Sequence, residues 1–109
     1  MTYNPQIPEW GEKYLENNKE NLVKYHEWLS TTGVKTGLIS PKKDQYIWDE
    51  FIVHSLYFYK LMEDLKLENK DLFDIGTGGG IPGIPISIVN KAKVTLIDNK
   101  KSSAIKNYL

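Results

Sequence analysis

One stretch constrains the fold of this chain more than any other, and it lies between residues 74 and 85. It reads DIGTGGGIPGIP, and five of its twelve residues, those at positions 76, 78, 79, 80 and 83, are glycine. Because glycine loses more conformational freedom on folding than any other residue, such a run indicates a backbone that turns sharply or lies against another group. The segments LFDI and KVTLID flank it on the two sides.

These flanking segments predict two β-strands. LFDI is apolar without strict alternation, as in a strand that is buried on both faces. KVTLID is rich in β-branched residues, which favour strands. Only the glycine stretch and a short helix, about Gly83 to Asn90, separate the two segments, so they predict a βαβ unit with parallel strands. Both strands then end at the same crevice, where ligands of such sheets bind.

The chain before these strands reads as helical. The pattern predicts a short helix over about Glu9 to Glu16, and a second helix with Asn18 as its N-cap and Gly33 as its C-terminal stop. Residues 31–44 predict a loop that leads to a third, mostly buried helix over roughly residues 43–65. Its apolar stripe is formed by Ile47, Phe51, Phe58, Met62 and Leu65, widened by Trp48, Ile52, Leu56 and Tyr59.

We therefore expect one continuous α/β domain. Residues 1–66 are its helical N-terminal part, and residues 67–109 are a βαβ unit. Of the two histidines, His26 is expected at the surface, and His54 is expected to be packed and hydrogen-bonded on the third helix.

Two phosphate-binding patterns are partly similar to the glycine stretch. A P-loop requires Lys and Ser or Thr directly after its last glycine, but Ile84 and Pro85 follow Gly83, so that interpretation fails. The dinucleotide pattern G-x-G-x-x-G matches from Gly78 through Gly80 to Gly83, but this frame begins too late after the strand. Glycines that only permit close packing of helix on strand remain an alternative.

The pattern that is in register is Asp74-x-Gly76-x-Gly78-x-Gly80. A second acidic residue, Asp98, ends the next strand, where a carboxylate is placed to accept hydrogen bonds from both hydroxyls of a ribose. Because Asp74 would repel a pyrophosphate, the ligand is expected to carry an amino group and a positive centre. S-adenosyl-L-methionine (SAM) has both, together with an adenosine.

The same stretch resembles a known family. DIGTGGGIPGIPISIV resembles the SAM-binding loop of the small-subunit rRNA methyltransferase G family, also called glucose-inhibited division protein B, which has a P-G-[IL]-P sequence here at residues 82–85. GLIS, FIVHSL and VTLID resemble further segments of that family. His54 departs from it, since the family has Asp at this position, and Glu50-Phe51 stand where it has Arg-His.

The resemblance implies a Rossmann-like class I SAM-dependent methyltransferase fold and methylation of guanine N7 in small-subunit (16S) rRNA. Gly76 would approach SAM through its backbone, and Ile81 would pack its side chain on it. Guanine N7 carries an exposed lone pair, so no general base is needed and no catalytic residue is assigned. The candidate cofactor-binding residues are Asp74, Gly76, Thr77, Gly78, Gly80, Ile81 and Asp98.

Composition limits the remaining possibilities. The 109 residues carry no cysteine, two histidines and a net charge of zero, so no zinc or other metal site and no overall attraction to nucleic acid are expected. The sequence has no apolar run of membrane-spanning length and no signal-peptide core, and a cytoplasmic location is the default.

Members of the resembled family are roughly twice as long as this chain, so we expect a C-terminal truncation and exposed strand edges that invite self-association. Such a chain is not expected to methylate RNA unaided. A catalytically inert SAM- or nucleotide-binding fragment, or another SAM-using enzyme, remains the alternative.

Overall fold

A computed structural model describes residues 3–75, 79–90 and 93–97 of the chain. It begins with a 3₁₀ turn at Glu9–Gly11, which leads into helix α1 (Glu12–Glu16) and then helix α2 (Lys19–Trp28). Both predicted helices are therefore confirmed. Asn18 stands at the N-cap of α2, but its side-chain amide donates to the carbonyl oxygen of Tyr14 at 2.8 Å rather than capping α2.

The predicted end of the second helix at Gly33 is wrong. Helical backbone continues through a π-helical segment, Leu29–Gly33, and through residues 34–35. The chain leaves the helix at Gly37, whose φ is +76°. There the Leu38 amide donates to the Gly33 carbonyl oxygen and the Gly37 amide to that of Val34, the pair of bonds that defines a Schellman end.

The third helix is confirmed as one long helical stretch. It consists of α3 (Asp44–Ile47), a π-helical segment (Trp48–Val53) and α4 (His54–Asp64), joined through residues with right-handed helical backbone. A turn that includes Lys66 at φ +58° ends it.

The stripe predicted for this helix is correct for six of its nine residues. The buried six are Ile47, Trp48, Ile52, Leu56, Tyr59 and Met62. Phe51 is half-buried, whereas Phe58 and Leu65 are 51% and 70% exposed. The exposed residues also recur at helical spacing, so the period of the pattern does not distinguish them from the buried ones.

The predicted βαβ unit is confirmed. Strand β1 (Leu72–Ile75) pairs in parallel with strand β2 (Val94–Ile97), and helix α5 (Gly83–Val89) lies between them in the chain. The register sets Ile75 beside Ile97, so both strands end at the same edge of the sheet.

Helix α5 lies between the sheet and the N-terminal helices, with contacts to both strands and to α2 and α4. Its residues Ile84, Pro85 and Ile86 are almost fully buried and join the core formed by the helices. Side chains alternate across a strand. The face of the sheet away from α5 therefore carries Phe73, Ile75 and Ile97, which are 62%, 78% and 45% exposed.

Candidate functional site

The candidate site is the connection between β1 and α5, of which the structure describes residues 79–82. Gly80 is buried with a φ of +91°, a conformation that side chains disfavour, and Ile81 is half-buried against the core. Asp74 precedes this connection. Three of the predicted cofactor-binding glycine-loop residues, Gly76, Thr77 and Gly78, lie outside the described residues, and so does Asp98.

Asp74 ties the two ends of the connection together. Its side chain is 8% exposed, and its Oδ2 accepts a hydrogen bond from the backbone amide of Gly83 at 2.9 Å. This amide is the first of α5 and has no partner within the helix, so the carboxylate satisfies it and complements the positive end of the helix. Asp74 thus holds the end of β1 against the start of α5.

Gly83 permits this contact because it has no side chain. An ideal Cβ at this position would lie 2.4 Å from Leu96 Cδ2 and 2.8 Å from Asp74 Oδ2. Both distances are shorter than non-bonded atoms tolerate, so α5 can pack on the strands only with glycine here. The packing interpretation of the glycines therefore holds for Gly83, whereas the ligand interpretation concerns the glycines before it.

The N-terminal helices also contact the connection. The hydroxyl of Tyr25, in α2, donates to the carbonyl oxygen of Gly79 at 2.5 Å. An ideal Cβ on Gly79 would be 2.9 Å from Leu29 Cδ2 and 3.5 Å from Ile39 Cγ2, so the backbone lies directly on these two side chains. In the sequence, Leu22, Tyr25 and Leu29 recur at three- and four-residue steps, which predicts only that Tyr25 lies on the apolar face of its helix. A tyrosine among aliphatic neighbours is the one signal for a polar contact there.

Both histidine predictions are wrong. His26 is 1% exposed, its ring stacks on that of Tyr3 with centroids 4.0 Å apart, and its Nε2 lies 2.8 Å from the Asp44 carbonyl oxygen. His54 is exposed. The helix faces explain both results, because α2 buries the side that includes His26 and the long helix turns His54 away from its buried face.

Perturbed pKa values occur in the helical part of the chain. Burial raises the pKa of Tyr3, Tyr14 and Tyr59, and for Tyr14 the hydrogen bond that its hydroxyl donates to the Glu63 carboxylate raises the pKa further. A hydrogen bond to Asp64 raises the pKa of Lys60. The Tyr14 contact joins α1 to α4, the Lys60 contact lies within α4, and neither supplies an acid or base to the connection between β1 and α5.

Two kinds of feature are absent from the part of the chain that the structure describes. It contains no group of three His, Cys, Asp or Glu side chains arranged to hold a metal ion. None of its helices is both long enough and apolar enough to cross a membrane.

Three known proteins that are similar to the chain carry the same name. This chain is 30% identical over 95 residues to "Ribosomal RNA small subunit methyltransferase G" of Streptomyces coelicolor. The aligned region covers 86% of this chain and 38% of that protein. The protein of the same name from Mycobacterium sp. (strain JLS) is 40% identical over 76 residues, covering 69% and 32%. That of Corynebacterium glutamicum (strain R) is 32% identical over 98 residues, covering 89% and 42%.

The chain thus spans about two-fifths or less of the length of these relatives. No solved structure is significantly similar to it. The family model described as rRNA small subunit methyltransferase G matches residues 18–106, which include all of the helices α2 to α5 and both strands. The chain therefore belongs to the GidB family, that of rRNA small subunit methyltransferase G.

Proposed function

We propose that the chain is part of a SAM-dependent methyltransferase that transfers a methyl group to guanine N7 of small-subunit (16S) rRNA. Its relatives carry the name ribosomal RNA small subunit methyltransferase G. In this proposal residues 1–66 form the helical N-terminal part and residues 67–109 the first βαβ unit of one continuous domain with a Rossmann-like class I methyltransferase fold. Since rRNA is the substrate, the proposed place of action is the cytoplasm.

The observation that carries the proposal is the parallel register of the sheet. Ile75 and Ile97 are neighbours at the end of β1 and β2. Gly76 and Asp98 follow them directly in the sequence, so the glycine loop and the second acidic residue start from the same edge. Ligands of parallel sheets bind at this edge, between the loops that leave adjacent strands.

The described residues fit SAM in the following way. The buried Asp74 carboxylate and the Gly83 amide close the base of the loop, and Gly80 at φ +91° turns it. Ile81 packs against the core and remains partly exposed. We assign SAM contacts to Asp74, Gly80 and Ile81, together with Gly76, Thr77, Gly78 and Asp98.

When bound, SAM supplies a methyl group on a positively charged sulfur. Guanine N7 would attack the methyl carbon with its own lone pair while the carbon–sulfur bond breaks and S-adenosylhomocysteine leaves. Because N7 loses no proton, the protein needs no general base at this step. The contribution of the protein is to orient the two reactants. Such orientation can lower the activation free energy by up to about 7–11 kcal/mol. We accordingly assign binding and orienting residues and name no catalytic one.

Calorimetric titration of the 109-residue chain with SAM tests the proposal. Asp98→Ala should weaken SAM binding by about 1.5–3 kcal/mol, because a hydrogen bond to a charged acceptor is lost. Asp71→Ala is the matched control, since Asp71 is an exposed acidic residue directly before β1, at the opposite end of the sheet, and should bind SAM like the wild type. If a 2′,3′-dideoxy analogue of SAM binds the wild type as tightly as SAM does, the role given to Asp98 is wrong.

Transfer is tested with SAM labelled on its methyl group and small-subunit rRNA. Label at guanine N7 supports the methyltransferase. SAM binding without any transfer supports the alternative of a SAM-binding chain that does not act unaided, and label on another atom contradicts the proposed reaction.

A further inference from the structure

Tyr25 lies far in sequence from the connection between β1 and α5, here called the candidate loop, but the two are in direct contact in space. The ring of Tyr25 is fully buried, and its hydroxyl donates to the carbonyl oxygen of Gly79, 54 positions further along the chain. Leu29, one turn later on the same face of the helix, lies against Gly79 together with Ile39. One loop residue is thus held by a hydrogen bond and by two aliphatic side chains of the N-terminal part.

Two hydrogen bonds within the βαβ unit hold the side of the loop that adjoins α5. Asp74 Oδ2 accepts the amide of Gly83 at 2.9 Å, and the carbonyl oxygen of Gly80 accepts the amide of Ile84 at 2.7 Å. On the other side of the loop, the helical part contacts the Gly79 peptide.

We infer that Tyr25 is a positioning residue for the candidate loop, and that it acts through the Gly79 carbonyl. Neighbouring glycines have many allowed backbone conformations, so a contact from outside the loop is needed to select one of them. A buried carbonyl that loses its donor must find another, which favours a different orientation of that peptide. A loop held in its binding conformation before the ligand arrives binds more tightly, because less order is imposed on binding.

This inference rests on the proposed function, since it takes SAM as the ligand of the loop. It concerns a residue that does not itself touch SAM. It therefore predicts an effect on affinity from a side chain in α2 whose loss removes no contact with the ligand.

The test is the dissociation constant of SAM for the full 109-residue chain with Tyr25→Phe, which keeps the buried ring and removes only the hydroxyl. We expect the dissociation constant to rise by about 3- to 10-fold, the range that corresponds to one hydrogen bond. Tyr14→Phe is the matched control. Tyr14 is also a buried tyrosine of the helical part, and its hydroxyl donates to the Glu63 carboxylate, so its variant loses a comparable bond elsewhere.

Tyr14→Phe should lower the thermal midpoint but change the dissociation constant of SAM by less than about 2-fold. A general loss of stability would move both variants alike, so the difference between them separates positioning from structural support. Amide hydrogen exchange gives a second readout. In ligand-free Tyr25→Phe, the amides of Gly80 and Ile81 should exchange faster, while those of α4 keep their wild-type rates.

Each outcome decides something different. If the wild type and Tyr25→Phe bind SAM equally, the inference is overturned and the proposed function stands. If the wild type binds no SAM, the proposed function fails, and the inference fails with it. If Tyr25→Phe does not fold, Ile39→Ala tests the same support of Gly79, and an unchanged dissociation constant in that variant overturns the inference.

Discussion

At the scale of single residues, Gly83 has the strictest requirement, because a methyl group there would overlap Leu96 and the Asp74 carboxylate. We expect Gly83→Ala to lower the free energy of unfolding by about 1–3 kcal/mol, the usual cost of overpacking. The urea midpoint measures this. Ser87→Ala, on the exposed side of the same helix, is the control and should stay within about 0.5 kcal/mol of the wild type. A Gly83→Ala chain as stable as the wild type would contradict the packing role.

Single residues also show which roles cannot be predicted from the sequence. The glycine pattern located the candidate loop, but it could not assign Gly83 to packing, because that role depends on where Leu96 of the second strand lies. The contact from Tyr25 to Gly79 is equally invisible, since helical periodicity reports which face of a helix is apolar and not which distant atom the face meets.

At the scale of elements, the long helix buries only part of the apolar stripe that the sequence predicts. Leu56 is fully buried, whereas Phe58 is 51% exposed. We expect Leu56→Ala to cost about 2–5 kcal/mol of unfolding free energy and Phe58→Ala no more than about 0.5 kcal/mol. Chemical denaturation of the two variants measures the difference. Equal losses in the two would mean that the predicted stripe through Phe58 is buried after all.

The same helix shows which parts of the fold can be predicted from the sequence and which cannot. Helices, strands and the parallel pairing follow from local patterns, and each was found within a few residues of its predicted bounds. Which residues of the predicted stripe are buried depends on the elements that pack against the long helix, among them α2 and α5, and no local pattern contains their positions. The burial of His26 on α2 and the exposure of His54 on α4 likewise depend on which face of each helix meets the core.

At the scale of the whole molecule, the sheet has one open apolar face in the described part of the chain. Phe73, Ile75 and Ile97 lie side by side there, and the net charge of zero gives copies of the chain no mutual repulsion. We expect concentration-dependent self-association, which sedimentation velocity detects as a rising sedimentation coefficient. Ile75→Lys should reduce it, while Leu67→Lys, at an exposed leucine of the turn before β1, should not. A wild type that stays monomeric at high concentration would refute this expectation.

The position of α5 also orders events during synthesis. The helices that it packs against are translated first, but Ile84 and Ile86 complete their core only when a segment some distance downstream has left the ribosome. At a rate of about 5–20 residues per second, the newly made helices wait on the order of seconds with that surface uncovered. The amino-terminal helices are therefore made first but cannot complete their core until α5 has been made. A chaperone that shields nascent apolar surface would act on them during this interval.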